Sequence, residues 1–462
     1  MTGKRITAIL LLLAAAIPVA AGEFDLGAGF HFGSSGSGDV DANLALFEQA
    51  GLNAGRDERA WRFVEWNKGE IRYFKNNKIE RMIDRLHRDG GIYINGLWYG
   101  SPFYDGGDYP RTPETIEAFC RYAEFVTAET RGKATYQQVW NEWDAGTGAP
   151  AARKDTADYE VYANLLKTVA PRIRSADPGV KIMSVSATMV FKLENMLKAG
   201  VQNHVDALAF HPYVNWRGPG NDTVEYWYGL MTEAGKVLDR YCHGKIPPVY
   251  LTELGWSTGM TKTGVSERVQ SVYAAQTLLL VRSFPFVKGL LWYDFQDDGV
   301  NPLNNEMNFG LIRADGTPKP AYYAFADLSK LVREGRFIER VDAKDPKVVI
   351  LKFQLGGRDV LAMWNWYANR NTEVVLRNHA ASPGTVSIRN AGRRGVEIPW
   401  GRTDWLETRK RRDNELTFTL RDMPLLVEGD LAQTEIVSLR NIEFRRDPDN
   451  TPAPVPKPGM VY

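Results

Sequence analysis

From residue 24 to about 335, short apolar runs alternate with longer stretches whose apolar residues recur every three or four positions. The runs at 26–32, 52–57, 91–97, 135–140, 180–186, 205–210, 248–252 and 288–293 have the length and content of buried strands. Helical periodicity covers 40–50, 76–89, 113–130, 156–176, 190–199, 222–242, 265–284 and 319–334. Thr112-Pro113-Glu114 supplies a cap residue with proline at the first helical position, and Asp177-Pro178-Gly179 closes the fourth helix. A strand followed by a helix, repeated through the region, implies parallel strands joined by crossovers. The number of repeats predicts an α/β fold, a (β/α)8 TIM barrel over 24–335. A doubly wound sheet is the alternative, but it needs a phosphate-binding turn after its first strand, and Gly27-x-Gly29-x3-Gly33 has the wrong spacing for one.

Beyond 338 the pattern changes to short β-rich runs at 348–353, 360–366, 373–376, 385–388, 415–420 and 425–428, separated by Gly, Asn and Asp. This predicts a C-terminal antiparallel β-sandwich over 338–442. Residues 446–462 are too rich in proline to pack and are expected to form a disordered tail. At the other end, Lys4 and Arg5 precede an uncharged run from 6 to 21 that finishes Val19-Ala20-Ala21. These features predict a signal peptide over 1–21 and a periplasmic or secreted protein. If retained, the segment would associate the protein with the inner membrane or its export machinery.

Composition narrows the function. Hydrophobic residues make up 44% of the 462, which excludes wholesale disorder. The 57 basic residues nearly cancel the 56 acidic ones, so nothing favours nucleic acid as a partner. Cys120 and Cys242 form no disulfide framework and no CxxC or Cys/His cluster, so no metal or cofactor is expected, and the protein is expected to be a monomer. Asp294, Asp297, Asp298 and Glu306 follow the last strand; they match no calcium loop with a defined ligand order and read as a solvated acidic loop that shapes the groove. Arg409-Lys-Arg-Arg412 reads as a charged hairpin tip.

In a parallel barrel the chemistry gathers where strands end. The fourth strand ends Trp140-Asn141-Glu142-Trp143, and the seventh ends Thr252-Glu253-Leu254-Gly255-Trp256. Two convergent carboxyls beside aromatic surfaces suit hydrolysis of a glycosidic bond, one protonating the leaving oxygen while the other attacks or activates water. The chain holds 13 Trp. Trp66, Trp98, Trp143, Trp216, Trp256 and Trp292 lie at or after strand ends, where indoles can stack on sugar rings. Trp98, Tyr99 and Trp216 are candidates for positions away from the cleavage point.

These motifs resemble the clan A retaining glycosidases, and Gly51-Leu-Asn-Ala-Gly-Arg56 with Trp61 and Glu65 is most similar to glycoside hydrolase family 39. The spacing from Glu142 to Glu253 and the secreted character resemble the Psl-type endoglycosidases of biofilm exopolysaccharide operons. The resemblance implies Glu142 as acid/base and Glu253 as nucleophile. It implies that Asn141 holds the substrate 2-hydroxyl, that Arg56 and Tyr213 position the nucleophile with His211 beside them, and that Trp292 stacks on the sugar. The implied activity is endo cleavage of a bacterial exopolysaccharide. An exo-acting β-xylosidase-like or uronidase-like enzyme, or a non-catalytic polysaccharide-binding or assembly protein, is the alternative.

Overall fold

The computed structural model describes residues 24–34, 38–72, 77–148, 158–218, 220–380, 385–392, 396–399 and 414–442. The expected signal peptide, the Pro-rich tail and the Arg409–Arg412 cluster lie outside these residues. Eight parallel strands close into a barrel: β1 (Asp25–Gly29), β2 (Ala54–Glu58), β3 (Ile92–Leu97), β4 (Tyr136–Val139), β5 (Lys181–Ala187), β6 (Ala207–Phe210), β7 (Val249–Leu254) and β8 (Val287–Trp292). Closure comes from β1 pairing with β8, Leu26 opposite Leu290. The main crossover and flanking helices are α1 (Val40–Gln49), α2 (Asn77–Arg88), α3 (Pro113–Glu129), α4 (Tyr159–Ala176), α5 (Val190–Lys198), α6 (Val224–Cys242), α7 (Glu267–Leu280) and α8 (Pro320–Glu334). Side chains of Asp39, Thr112, Asp158, Thr223 and Ser266 accept hydrogen bonds from the first turns of the helices they precede.

Strand parity sorts the core into two layers. Ile94, Tyr136, Met183, Tyr250 and Leu291 pack inside the barrel, while Leu97, Val139, Leu251 and Leu290 meet the helices. Cys120 and Cys242 are buried free thiols.

The chain continues into an antiparallel sandwich. Its larger sheet runs β9 (Arg336–Arg340), β10 (Val348–Leu355), β11 (Arg358–Asn365), β16 (Leu425–Gly429), β13 (Thr385–Asn390) and β14 (Val396–Pro399). The smaller sheet has β12 (Asn371–Asn378) between β15 (Glu415–Leu420) and β17 (Thr434–Ile442). Val349, Leu351, Phe353 and Trp364 join the core formed with the barrel helices. Their neighbours Val348, Ile350 and Met363 face the smaller sheet. Paired side chains seal the seam: Arg268 forks onto Asp422 at 2.7 and 2.9 Å, and Arg389 pairs with Asp327.

Candidate active site

At the carboxyl ends of the strands a cavity of about 540 Å³ opens between the loops. Arg56 comes from the middle of β2, and its guanidinium organises the floor. Nη1 donates to Glu253 Oε1 at 2.6 Å, Nη2 to Asn141 Oδ1 at 2.8 Å, and Nε to Gln138 Oε1 at 2.8 Å. Tyr213 donates its hydroxyl to the other oxygen of Glu253 at 3.2 Å. Both oxygens of this carboxylate are therefore held, and Glu253 is 9% exposed.

Glu142 faces it from the turn after β4. The backbone there enters the left-handed region, with φ of 70° at Trp140 and 42° at Glu142, which turns the carboxyl inward over the barrel mouth. Glu142 Oε1 lies 2.8 Å from Nδ1 of His211, and Thr147 donates its hydroxyl to Oε2 at 3.2 Å. Burial pushes the Glu142 carboxyl up, against the opposing effects of the Thr147 hydrogen bond and the Arg56 charge. Burial likewise pushes the His211 imidazole down to about 3, so it is neutral in the working range. Its Nε2 meets Thr252 Oγ1 at 2.9 Å. Because a hydroxyl both donates and accepts, the ring keeps partners in either tautomer. It can accept a hydrogen bond from neutral Glu142 or donate one to ionised Glu142. A carboxylate oxygen from each glutamate and an imidazole nitrogen of His211 lie within 4.8 Å of one another.

The cavity brings together Glu142, Glu253, Asn141, Arg56, His211, Tyr213, Trp98, Tyr99 and Trp216. Trp98 is a prop as well as a wall. It is buried, donates Nε1 to Glu58 at 2.6 Å, and carries the Arg56 guanidinium 4.6 Å above its ring. Gly96 makes room for it, since a Cβ there would fall 1.9 Å from the indole.

Four of the six strand-end tryptophans are elsewhere: Trp66 is exposed outside the cavity, and the other three are in the core. Trp143, Trp256 and Trp292 are fully buried and do not line the cavity. Trp143 stacks on Tyr109 at 4.0 Å because the chain turns under the barrel rim directly after Glu142. Trp256 packs on Tyr273 of α7 and Trp292 on Phe325 of α8, at 5.2 and 5.5 Å. The reason for Trp292 is parity: Leu291 points into the barrel, so Trp292 points at the helices, and Tyr293 takes the cleft position.

The loop after β8 shapes the groove through Glu306, but its Asp294 and Asp297 are buried rather than solvated. Asp297 is buried against Lys319 Nζ at 2.7 Å and accepts from the Gly310 amide. Asp298 lies 2.8 Å from His31 Nδ1, and buried Asp294 lies 3.6 Å from it. His31, Asp294 and Asp298 form one grouping of potential metal ligands among the described residues, and Glu142, His211 and Glu253 form the other. In both, the imidazole is already engaged by the carboxylates. Glu306 opens into the cleft, where desolvation and then the nearby Glu253 and Glu142 push its carboxyl up. His31, Glu58, Thr147 and Tyr293 line the cavity and were not selected from the sequence. Only Tyr293 had a usable signal, the parity of β8.

No family model matches the chain. It is similar in structure to a family 39 glycoside hydrolase from Bacteroides cellulosilyticus WH2, with a TM-score of 0.69, 22% identity, and coverage of 88% of this chain and 81% of that one. A GH30 endoxylanase from Clostridium papyrosolvens C71 gives a TM-score of 0.57 at 12% identity, covering 89% and 98%. The exo-β-1,4-mannosidase Op5Man5 from Opitutaceae bacterium strain TAV5 gives 0.53 at 18% identity, covering 70% and 62%. These likenesses establish the fold. In sequence, a DNA ligase of Bacillus mycoides (strain KBAB4) is 28% identical over 145 residues, 30% of this chain. The match spans 20% of that ligase's length.

Proposed function

We propose that the protein is a retaining glycoside hydrolase that cleaves within a polysaccharide chain. The observation that carries this reading is the facing pair Glu142 and Glu253, with carboxylate oxygens within 4.8 Å. Retaining glycosidases hold their carboxyls about 5–5.5 Å apart, whereas inverting enzymes leave about 6.5–9.5 Å for a water. Glu253, held by Arg56 and Tyr213, attacks the anomeric carbon. Glu142, whose protonated form burial favours, gives its proton to the departing glycosidic oxygen. Glu142 then takes a proton from water as that water opens the glycosyl-enzyme, so the configuration is retained. Asn141, held by Arg56, presents its amide to the sugar 2-hydroxyl.

Glu58 and Glu306 line the cleft, where Arg56 is already committed to Glu253 and Asn141 and His31 to Asp298. A uronate at the cleavage point would meet carboxylates, so a neutral or amino-bearing sugar fits better than a uronidase substrate. The N-terminal segment supports a periplasmic or secreted location, retained at the membrane if uncleaved. In that setting a bacterial exopolysaccharide, in biosynthesis or in a biofilm matrix, is the substrate proposed. A non-catalytic binding protein has no need of both carboxyls and their frame.

Glu142→Gln and Glu253→Gln are each expected to lower kcat on a cleaved glycan by at least about 10³-fold with the fold intact. Adding azide to Glu253→Ala should yield a glycosyl azide of inverted anomeric configuration. Full activity in both glutamine variants would overturn the reading.

A further inference from the structure

Two exposed aromatic tracks lead away from the cavity. On one side Tyr99, at the cavity wall, has the Arg62 guanidinium 4.8 Å from its ring, and the same guanidinium lies 4.9 Å from Phe63. Trp66 continues the row, donating Nε1 to the Phe63 carbonyl at 3.1 Å. Phe63 is 48% and Trp66 56% exposed, large values for such side chains. The hairpin bearing Trp66 is anchored from below, because buried Glu65 accepts from the Gly69 amide at 2.7 Å and the Tyr104 hydroxyl at 2.9 Å. On the other side Trp216 lines the cavity at 50% exposure. The Arg217 guanidinium lies 4.6 Å from its ring and 5.3 Å from that of Tyr226.

The tracks follow β2 and β3 on one side and β6 on the other. In the closed ring β6 stands opposite β2, so the line joining them crosses the barrel mouth between Glu142 and Glu253. Resting on the glycosidase reading above, we infer that these tracks are distal binding positions for the flanking units of one polysaccharide chain, which lies across the barrel and is cut in its interior. Each arginine fixes the rings it touches, and the exposed ring faces match the apolar C–H faces of sugars. Continuity with the cavity identifies the occupant, since Tyr99 and Trp216 belong both to the cavity and to the tracks. The inference also absorbs Trp66, a strand-end indole that the cavity itself leaves unused.

The test compares long and short substrates in the full chain. Phe63→Ala with Trp66→Ala, and separately Tyr226→Ala, are assayed on soluble xylan, glucomannan and a purified bacterial exopolysaccharide, and on 4-nitrophenyl β-glycosides. For the cleaved polymer KM should rise about tenfold for the double variant, while kcat/KM on the aryl glycoside is unchanged. Unchanged KM on a cleaved polymer overturns the tracks and leaves the glycosidase reading standing. An equal loss on both substrates also overturns them, because the residues would then act at the cleavage centre. If the wild type hydrolyses nothing, the glycosidase reading fails, and retardation in gels containing the same polysaccharides decides the tracks alone. Retardation lost in the double variant supports them, and equal migration of the two proteins overturns them.

Discussion

Thr147 governs how far the Glu142 carboxyl rises. Its hydroxyl pulls that group down, against a larger upward effect of burial. Replacing Thr147 with Val removes the donor and keeps the shape, so the carboxyl should hold its proton to higher pH. The basic limb of the kcat/KM profile is then expected to move to higher pH. A downward move, read on an aryl glycoside, would contradict the sign. Gly96 acts at one further remove. An added Cβ would overlap the Trp98 indole, and Trp98 carries the Arg56 guanidinium that holds both Glu253 and Asn141. Gly96→Ala should therefore cost about 100-fold in kcat through misplacement, along with about 1–3 kcal/mol of stability from overpacking. Kinetics and denaturant melts of the same variant separate the two effects.

At the scale of elements, strand parity explains both what was legible in the sequence and what was not. Apolar runs marked the barrel strands to within a few residues, because a buried parallel strand is apolar on both faces. Glu142 and Glu253 were legible because each directly ends such a run. Trp292 was misplaced by one position: the run showed where β8 ended but not which face its last residue took. Trp143 and Trp256 were misplaced because a loop beyond a strand has no period to read. The pairing of His31 with Asp298 spans 267 positions and leaves no local trace. In the sandwich, β10 reads Val348-Val-Ile-Leu without alternation, and the structure shows why: the smaller sheet covers one face and the barrel helices cover the other. Trp364 on the neighbouring β11 is fully buried on the barrel side. Its truncation to Ala is expected to destabilise the protein by about 3–5 kcal/mol. Since the core is continuous across the seam, barrel and sandwich should melt in a single transition in both proteins, as read by calorimetry. Two separated transitions in the wild type would show that the seam does not couple them.

The whole molecule depends on barrel closure, and one ion cluster spans the closing pair of strands at their carboxyl ends. His31 follows β1, while Asp294 and Asp298 follow β8. Burial alone would lower the His31 pKa, but the hydrogen bond to Asp298 and the charges of Asp294, Asp298 and Asp57 outweigh it and raise it to about 10. A histidine in the unfolded chain titrates near 6.5. The folded protein therefore binds a proton at His31 that the unfolded chain releases between these values, and this linkage stabilises the fold most at low pH. The contribution is fully present below about 6.5 and is lost as pH rises through about 10. His31→Gln leaves the facing aspartates without their cation, so it should lower Tm by several degrees at pH 6. By pH 11 the wild type has lost the same charge, and the two melting curves should converge. Taking the difference between wild type and variant at each pH cancels the titration of groups that do not interact with His31. A gap that widens with pH would reverse the sign and remove His31 as the closing cation. The same cluster lies against the cleft, since His31 and Tyr293 both line it. Loss of the His31 charge should therefore loosen the β8 end that holds Tyr293, and activity on aryl glycosides should fall as pH rises through about 10, where the folded protein gives up that proton.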